Sequence, residues 1–189
     1  KAHVKLIGGK VDEAQAMVEN YMPQLKQIHD ALVSEEKEMN VTGLVRMSPM
    51  AECRYLLGVM LYDEARKLMK TPGYDQEKVK TLLFGAKGAD GKRSGNGAFN
   101  HFINVFVQYP ECQWATDAGA RTEEIKELVK SAFGTTIRVP ITTDQWAKMR
   151  DKQFSEARVL FNQSQFDKAV EALLNVLNQF PATPESIPA

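Results

Sequence analysis

The residues whose types most suggest chemistry are the glycines of segment 85–97, which contains five of them. A phosphate-binding loop of the P-loop type requires a glycine, four further residues and then Gly-Lys-Ser/Thr, all placed after a strand. Here Gly91 and Lys92 are followed by Arg93. Residue 86, where the first glycine would stand, is an alanine. The spacing therefore excludes this kind of phosphate site. It predicts a flexible loop between helices, with Lys92 and Arg93 as solvated charges.

No other side chains stand at spacings typical of catalytic or metal sites. His3, His29 and His101 have no histidine or cysteine three or four residues further on, as a zinc site on a helix would require. No Gly-x-Ser-x-Gly or Cys/His signature marks a nucleophile. Paired carboxylates such as Glu35-Glu36 and Glu123-Glu124 lie in charged helical stretches typical of solvated faces. We therefore expect no catalytic residue, no metal and no cofactor, and a protein that is not an enzyme.

The two cysteines leave three interpretations open. Cys53 and Cys112 lie too far apart in sequence to be paired metal ligands. They can be two small buried residues, which is the least specific interpretation. They can instead form a single disulfide in an oxidising compartment, or one of them can be a reactive thiol.

Charge and composition narrow the class of protein. Basic and acidic residues number 24 each, which argues against a nucleic-acid binder and against a polybasic membrane-surface protein. Charged residues make up 25% and hydrophobic residues 43% of the chain, as in ordinary globular domains. The longest uncharged run, 94–110, is interrupted by polar side chains and predicts no membrane span. Because residues 1–9 show neither an initiator Met nor a signal peptide, we expect a processed piece of unknown compartment.

Helical periodicity covers nearly the whole chain and predicts an all-α fold of about seven helices. Pro23 should kink or divide the first helix. Strand candidates are limited to the short β-branched runs 41–45 and 135–143. The predicted helices are 10–37, 50–69, 76–86, 96–108, 113–133, 143–162 and 166–179.

The last two predicted helices carry an informative pattern of small and large residues. Ala157 and Ala169 would let two antiparallel helices approach closely where they cross, and Phe166 would help to fill the space beside the crossing. This spacing resembles the tetratricopeptide repeat, a helix–turn–helix unit of ~34 residues. The positions that match the repeat are Ala157, Leu160, Ala169, Leu173 and Pro181.

A second, interrupted match lies earlier in the chain. Gly58 and Leu61 take the small and large positions of a first helix, and the second helix follows after an insertion. Its matching positions are Ala98, Phe102, Val105 and Pro110. The resemblance implies an irregular helical solenoid forming a single domain over 1–181, with its best repeats at 51–110 and 148–181. The proline-rich tail 182–189 is expected to be extended.

Segment 106–118 has a narrower resemblance. Its aromatic-proline helix end, followed by a helix containing alanine and Asp-Ala, is similar to periplasmic bacterial members of the tetratricopeptide superfamily. Those members include the lipoprotein of the outer-membrane barrel-assembly machine and the Tol–Pal-associated division coordinator. The resemblance implies a scaffold in the bacterial periplasm or envelope, with the cytoplasm as the alternative.

The functional surface that this resemblance implies is a groove. Stacked helix pairs curve into a superhelix whose concave face binds partners. Tyrosine and arginine are effective anchors there because they combine apolar area with directed hydrogen bonds. The alternative is that the aromatic residues belong to the core between repeats. The groove candidates are Tyr55, Val59, Tyr62, Phe154, Arg158, Phe161 and Asn162.

The sequence thus predicts a non-catalytic protein–protein interaction scaffold that binds a partner peptide or domain in a helical groove. Nucleic acid is not an expected partner. One alternative is a helical-repeat enzyme or small-ligand binder, which would need a polar pocket beside the glycine-rich loop. Another is a self-assembling structural segment, which would bury an apolar patch in a homo-oligomer.

Overall fold

The computed structural model describes residues 11–41, 43–137 and 143–179, and no strand occurs within these ranges. The predicted all-α fold is confirmed, and each α-helix begins and ends within two residues of its predicted bounds. The predicted tail 182–189, Pro181 and His3 lie outside the described residues. The helices are α1 (Val11–Met39), a 3-10 turn (Val45–Met47), α2 (Pro49–Met69), α3 (Gln76–Phe84), α4 (Ala98–Gln108), α5 (Ala115–Phe133), α6 (Thr143–Asn162) and α7 (Phe166–Gln179).

Local chemistry explains several helix ends. Ser48 caps α2, because its side chain accepts a hydrogen bond from the Ala51 amide just before a proline at the first helical position. Asp75 caps α3 by accepting from two backbone amides of its first turn. Gly134 ends α5 in the left-handed conformation, at φ 64°. Pro23 lies within α1, which continues on both sides of it, so the expected division of this helix is not observed.

The sequence predicts one domain over 1–181, whereas the described helices divide into two compact units. The first unit contains α1 to α5 and extends to Ile137. The second contains α6 and α7. Helix α5 ends at Phe133 in the first unit, and α6 begins at Thr143 in the second.

Helix α4 lies at the centre of the first unit. It packs against α2, α3 and α5, and its sequence contains no charged residue. Helix α1 packs against α2, and there the ring nitrogen Nδ1 of His29 lies 2.9 Å from Ser48 Oγ. The His29 ring also meets Tyr109 edge-on, with ring centroids 4.7 Å apart. His29 therefore has a structural role. The buried residues of α4 are Ala98, Phe99, His101, Phe102, Val105 and Phe106.

Two glycines allow the helices around α4 to approach it closely. A Cβ atom on Gly58 of α2 would lie 2.8 Å from the ring of Phe102, and one on Gly119 of α5 would lie 2.9 Å from the ring of Phe106. Carbon atoms in contact normally stay about 3.5–4.0 Å apart. Only glycine at positions 58 and 119 therefore leaves enough room for the rings of Phe102 and Phe106.

The segment 85–97 is a structured loop. The Gly88 amide donates to the Lys92 carbonyl at 2.7 Å, which joins the two sides of the loop. The Arg93 guanidinium donates to the carbonyl of the loop's first residue at 3.1 Å and to Glu77 of α3 at 2.9 Å. The prediction of a solvated charge is therefore wrong for Arg93, whose side chain is 22% exposed. These bonds tie the loop to the helix that precedes it.

The second unit is an antiparallel helix hairpin. Ala157 and Ala169 are almost completely buried, as expected for residues at a helix crossing, and Met149 and Val176 complete the buried set among the residues described. A short turn connects the helices, and in it the Ser164 amide donates to the carbonyl of Phe161 at 2.9 Å. The apolar area that these four residues bury is small because two of them are alanines.

We predict that Gly58→Ala destabilises the first unit by about 1–2 kcal/mol. The added methyl group forces α2 away from Phe102, and the free-energy cost of this displacement exceeds the gain in helix propensity. Urea unfolding monitored by circular dichroism measures the change. In a Phe102→Leu background the same substitution should cost less, because the smaller side chain leaves room for the methyl. An equal cost in both backgrounds would show that the glycine–ring contact is not the cause.

Candidate functional site

The structure places the predicted groove residues in both units. Tyr55, Val59 and Tyr62 lie on α2 in the first unit. The other four candidates lie on α6 in the second unit, namely Phe154, Arg158, Phe161 and Asn162.

The first set is engaged largely within the protein. Tyr62 is 4% exposed and its ring meets Phe102 edge-on, with centroids 6.5 Å apart. Tyr62 is therefore a core residue rather than a surface that a partner contacts, which corrects its assignment to the groove. Tyr55 and Val59 are half-buried, and the Tyr55 ring also packs against Phe102, with centroids 5.9 Å apart.

Polar groups of α5 meet the two tyrosines of α2. The Tyr55 hydroxyl donates to the Asp117 carboxylate. Arg121 lies one turn further along α5, with Nε 3.5 Å from Asp117 and Nη1 3.5 Å from Glu124. Glu124 in turn interacts with the Tyr62 hydroxyl. We call this set the α2–α5 polar ladder: Tyr55, Tyr62, Asp117, Arg121 and Glu124.

The ladder keeps both phenols protonated. Burial raises the pKa of Tyr55 to about 12, and the hydrogen bond to Asp117 and the negative charge of that carboxylate act in the same direction. Burial also raises the pKa of Tyr62, with the charge of Glu124 adding to it. Neither tyrosine is therefore a candidate nucleophile or base near neutral pH. The ladder holds α2 and α5 together along one side of α4.

The second set of candidates is accessible. Phe154 is 51% exposed and Phe161 is 57% exposed, and Arg158 and Asn162 are also exposed. Phe154 and Phe161 are two turns apart and so share one side of α6. Phe161 also packs edge-on against Phe166 at the start of α7, with ring centroids 5.4 Å apart.

Helix α7 extends this exposed surface. Four large apolar side chains recur at spacings of four, four and three residues, which places them on one side of the helix beside the buried seam. Because Phe161 contacts Phe166, these side chains and the phenylalanines of α6 form one continuous surface. We call it the hairpin apolar face, and its members are Phe154, Phe161, Phe166, Val170, Leu174 and Leu177.

The sequence interpretation found only part of this face. It named Phe154 and Phe161 but placed Phe166 in the packing between the helices, whereas Phe166 is 54% exposed. Val170, Leu174 and Leu177 were missed. The signal was present, because apolar residues cover about half of the circumference of α7. A single neighbouring helix can cover only part of so wide an arc.

A second unusual feature is a buried polar pair between α2 and α4. His101 is 4% exposed, and among the described residues both its ring nitrogens and Nε of Arg54 are buried without a hydrogen-bond partner. Burial lowers the pKa of His101 to about 4, and the positive charge of Arg54 lowers it further. The ring is therefore neutral at physiological pH, and His101 has a structural position in the core.

The two cysteines, a metal site and a membrane span are the remaining features to consider. No disulfide joins Cys53 to Cys112. Burial, and then the charge of Glu52, raises the pKa of the Cys53 thiol, which disfavours a reactive thiolate there. Within the described ranges, no three His, Cys, Asp or Glu side chains cluster as a metal site would require. None of the helices described there combines the length and apolarity needed to cross a membrane.

Comparison with protein-family models, with curated proteins and with solved structures finds no match to this chain. The relationship to the tetratricopeptide superfamily therefore stays a prediction from the sequence pattern.

We predict that acidification destabilises the protein through His101. Its folded pKa of about 4 lies below its ordinary value of 6.5, so the unfolded state binds the proton more readily in this window. The resulting stability is fully present above pH 6.5 and declines as pH falls towards 4, by about 2–3 kcal/mol at pH 4.5. Urea unfolding at pH 7 and pH 4.5 measures this loss.

The matched control for this prediction is His101→Gln, which removes the titrating ring and leaves every other ionisable group in place. Its loss of stability between the two pH values should be smaller by about the same 2–3 kcal/mol. Identical losses in the two proteins would rule out the buried histidine as the source.

We also predict that Tyr55→Phe destabilises the first unit by about 0.5–1 kcal/mol, because it removes a hydrogen bond to a carboxylate that is half-exposed and can regain water. Tyr21→Phe on α1 is the control, since Tyr21 is 58% exposed, and it should change stability little. Chemical unfolding of both variants measures the difference. Equal effects would mean that the Tyr55–Asp117 contact contributes nothing.

Proposed function

We propose that this chain is a non-catalytic protein-interaction scaffold, and that the hairpin apolar face is the surface that docks onto a partner protein or peptide. One observation carries the proposal. Six large apolar side chains lie on one face of a two-helix unit, and each is more than half exposed.

The free energy of burial supports this proposal. Isolated apolar side chains are normal on protein surfaces, but contiguous apolar patches mark interaction sites. A two-helix hairpin cannot cover its apolar surface by itself, and the buried set described for this hairpin contains two alanines among its four members. A partner that covers the six side chains would gain the burial energy that the hairpin lacks.

Other exposed residues fit the face to protein recognition. Arg158 lies between Phe154 and Phe161 in the sequence of α6 and is exposed, so a directed polar group borders the apolar surface. In the first unit, by contrast, the large exposed apolar residues described are spread along α1 and the segment that follows it, and Tyr55 is already bonded to Asp117. The hairpin therefore contributes more to the proposal than α2 does. A location in the bacterial envelope stays a prediction from segment 106–118.

The test is site-specific photocrosslinking in extract of the source cell. A photoreactive amino acid replaces Val170 on the hairpin apolar face and, in the control, replaces Lys168 on the polar side of α7. Both positions are exposed and lie within one turn of each other, so they differ mainly in the side of the helix on which they lie.

We expect a protein adduct at position 170, resolved by mass spectrometry, that is at least several-fold more abundant than at position 168. An adduct with any protein, including another copy of this chain, supports a docking surface. Position 170 forming no more adduct than position 168 would contradict the proposed function.

A further inference from the structure

We infer that the hairpin apolar face binds the same face of a second copy of this chain, so that two hairpins form an antiparallel four-helix bundle around a two-fold axis. The inference rests on the proposed function, because it names the partner of the same face.

The α7 part of the hairpin apolar face, Phe166, Val170, Leu174 and Leu177, is self-complementary. A two-fold interface requires one patch to match itself after rotation. These four residues are spaced almost symmetrically about residue 172. An antiparallel copy centred there places Phe166 near Leu177 of the second copy and Val170 near its Leu174. Large apolar side chains then meet large apolar side chains along the whole helix.

The helix dipoles favour the antiparallel orientation. An antiparallel copy places the N-terminal end of each α7 beside the C-terminal end of the other, whereas a parallel copy would place like ends together. The charged residues of α7 are Asp167, Lys168 and Glu171, and all three are exposed. Because Lys168 lies on the polar side of the helix, its charge stays in water in the dimer.

The size of the face is suitable for a stable dimer. Six large side chains that are slightly more than half exposed present roughly 500 Å² of apolar surface per copy. A standard interface buries about 800 Å² per partner, and its core is about two-thirds apolar. The hairpin apolar face thus supplies about the apolar area that such an interface contains. Two antiparallel helices with one apolar face are also half of a four-helix bundle.

The first experiment is sedimentation equilibrium of the purified full chain over a concentration series. We expect a mass of twice the chain. Val170→Glu and Leu174→Lys, tested separately, should each weaken self-association at least 30-fold, because each places a charge against an apolar residue of the other copy. Asn175→Glu, on the polar side of α7, is the matched control and should leave the dimer unchanged. Both replaced apolar side chains are exposed, and circular dichroism verifies that the variants keep their helices.

Mixing the two charged variants tests the orientation. In the antiparallel arrangement, Val170→Glu in one copy faces Leu174→Lys in the other, and the second such contact keeps its native residues. The mixture should therefore associate at least ten-fold more tightly than either variant alone. A mixture that gains nothing would overturn the antiparallel register.

Two outcomes would overturn the inference itself. A wild-type chain that stays monomeric at every concentration would show that a second copy does not cover the face. A dimer that neither charged variant weakens would show that self-association uses another surface. In either case the crosslinking test decides separately whether the proposed function survives, because a face that captures a different protein still forms an adduct at position 170.

Discussion

The contact of two phenylalanine rings with two glycines is the interaction on which the first unit depends. Phe102 lies against Gly58 of α2, and Phe106 lies against Gly119 of α5. These contacts hold the uncharged helix α4 between its neighbours, where its apolar side chains are removed from water. They also bring α2 and α5 close enough for the polar ladder to form, so that Tyr55 reaches Asp117. The polar contacts are a consequence of the apolar ones.

The two units differ in how completely they cover their own apolar side chains. In the first, several helices surround α4, and the apolar surface of Tyr62 that the sequence assigns to a groove is instead covered. In the second, two helices meet across Ala157 and Ala169 and have no third layer within the hairpin. Close approach through alanines buries little area, and the large side chains are left on the neighbouring face. The difference in layers explains why one unit is largely closed and the other has an exposed apolar surface.

The helices could be predicted closely because their signals are local. Ser48, Asp75 and Gly134 mark ends through contacts within one turn, and apolar spacing marks the faces. The candidate surface could be predicted only in part, because which apolar residues stay exposed depends on how many neighbours surround a helix. The partnership of Arg93 with Glu77 was missed for the same reason, since it joins residues of the loop and of α3. The boundary between units likewise follows from packing, which the seven helical patterns do not encode individually.

The insertion between α2 and α4 has a kinetic consequence. These two helices must meet across residues 70–97, whereas α6 and α7 are joined by only residues 163–165. Closing the longer connection costs about 2 kcal/mol more in chain entropy, so we expect the hairpin to form first and α4 to dock later. The bonds from Arg93 to α3 shorten the effective loop once they form. Until then, the phenylalanine rings of α4 and the hairpin apolar face are exposed to solvent at the same time. Refolding at high concentration therefore favours aggregation during this interval.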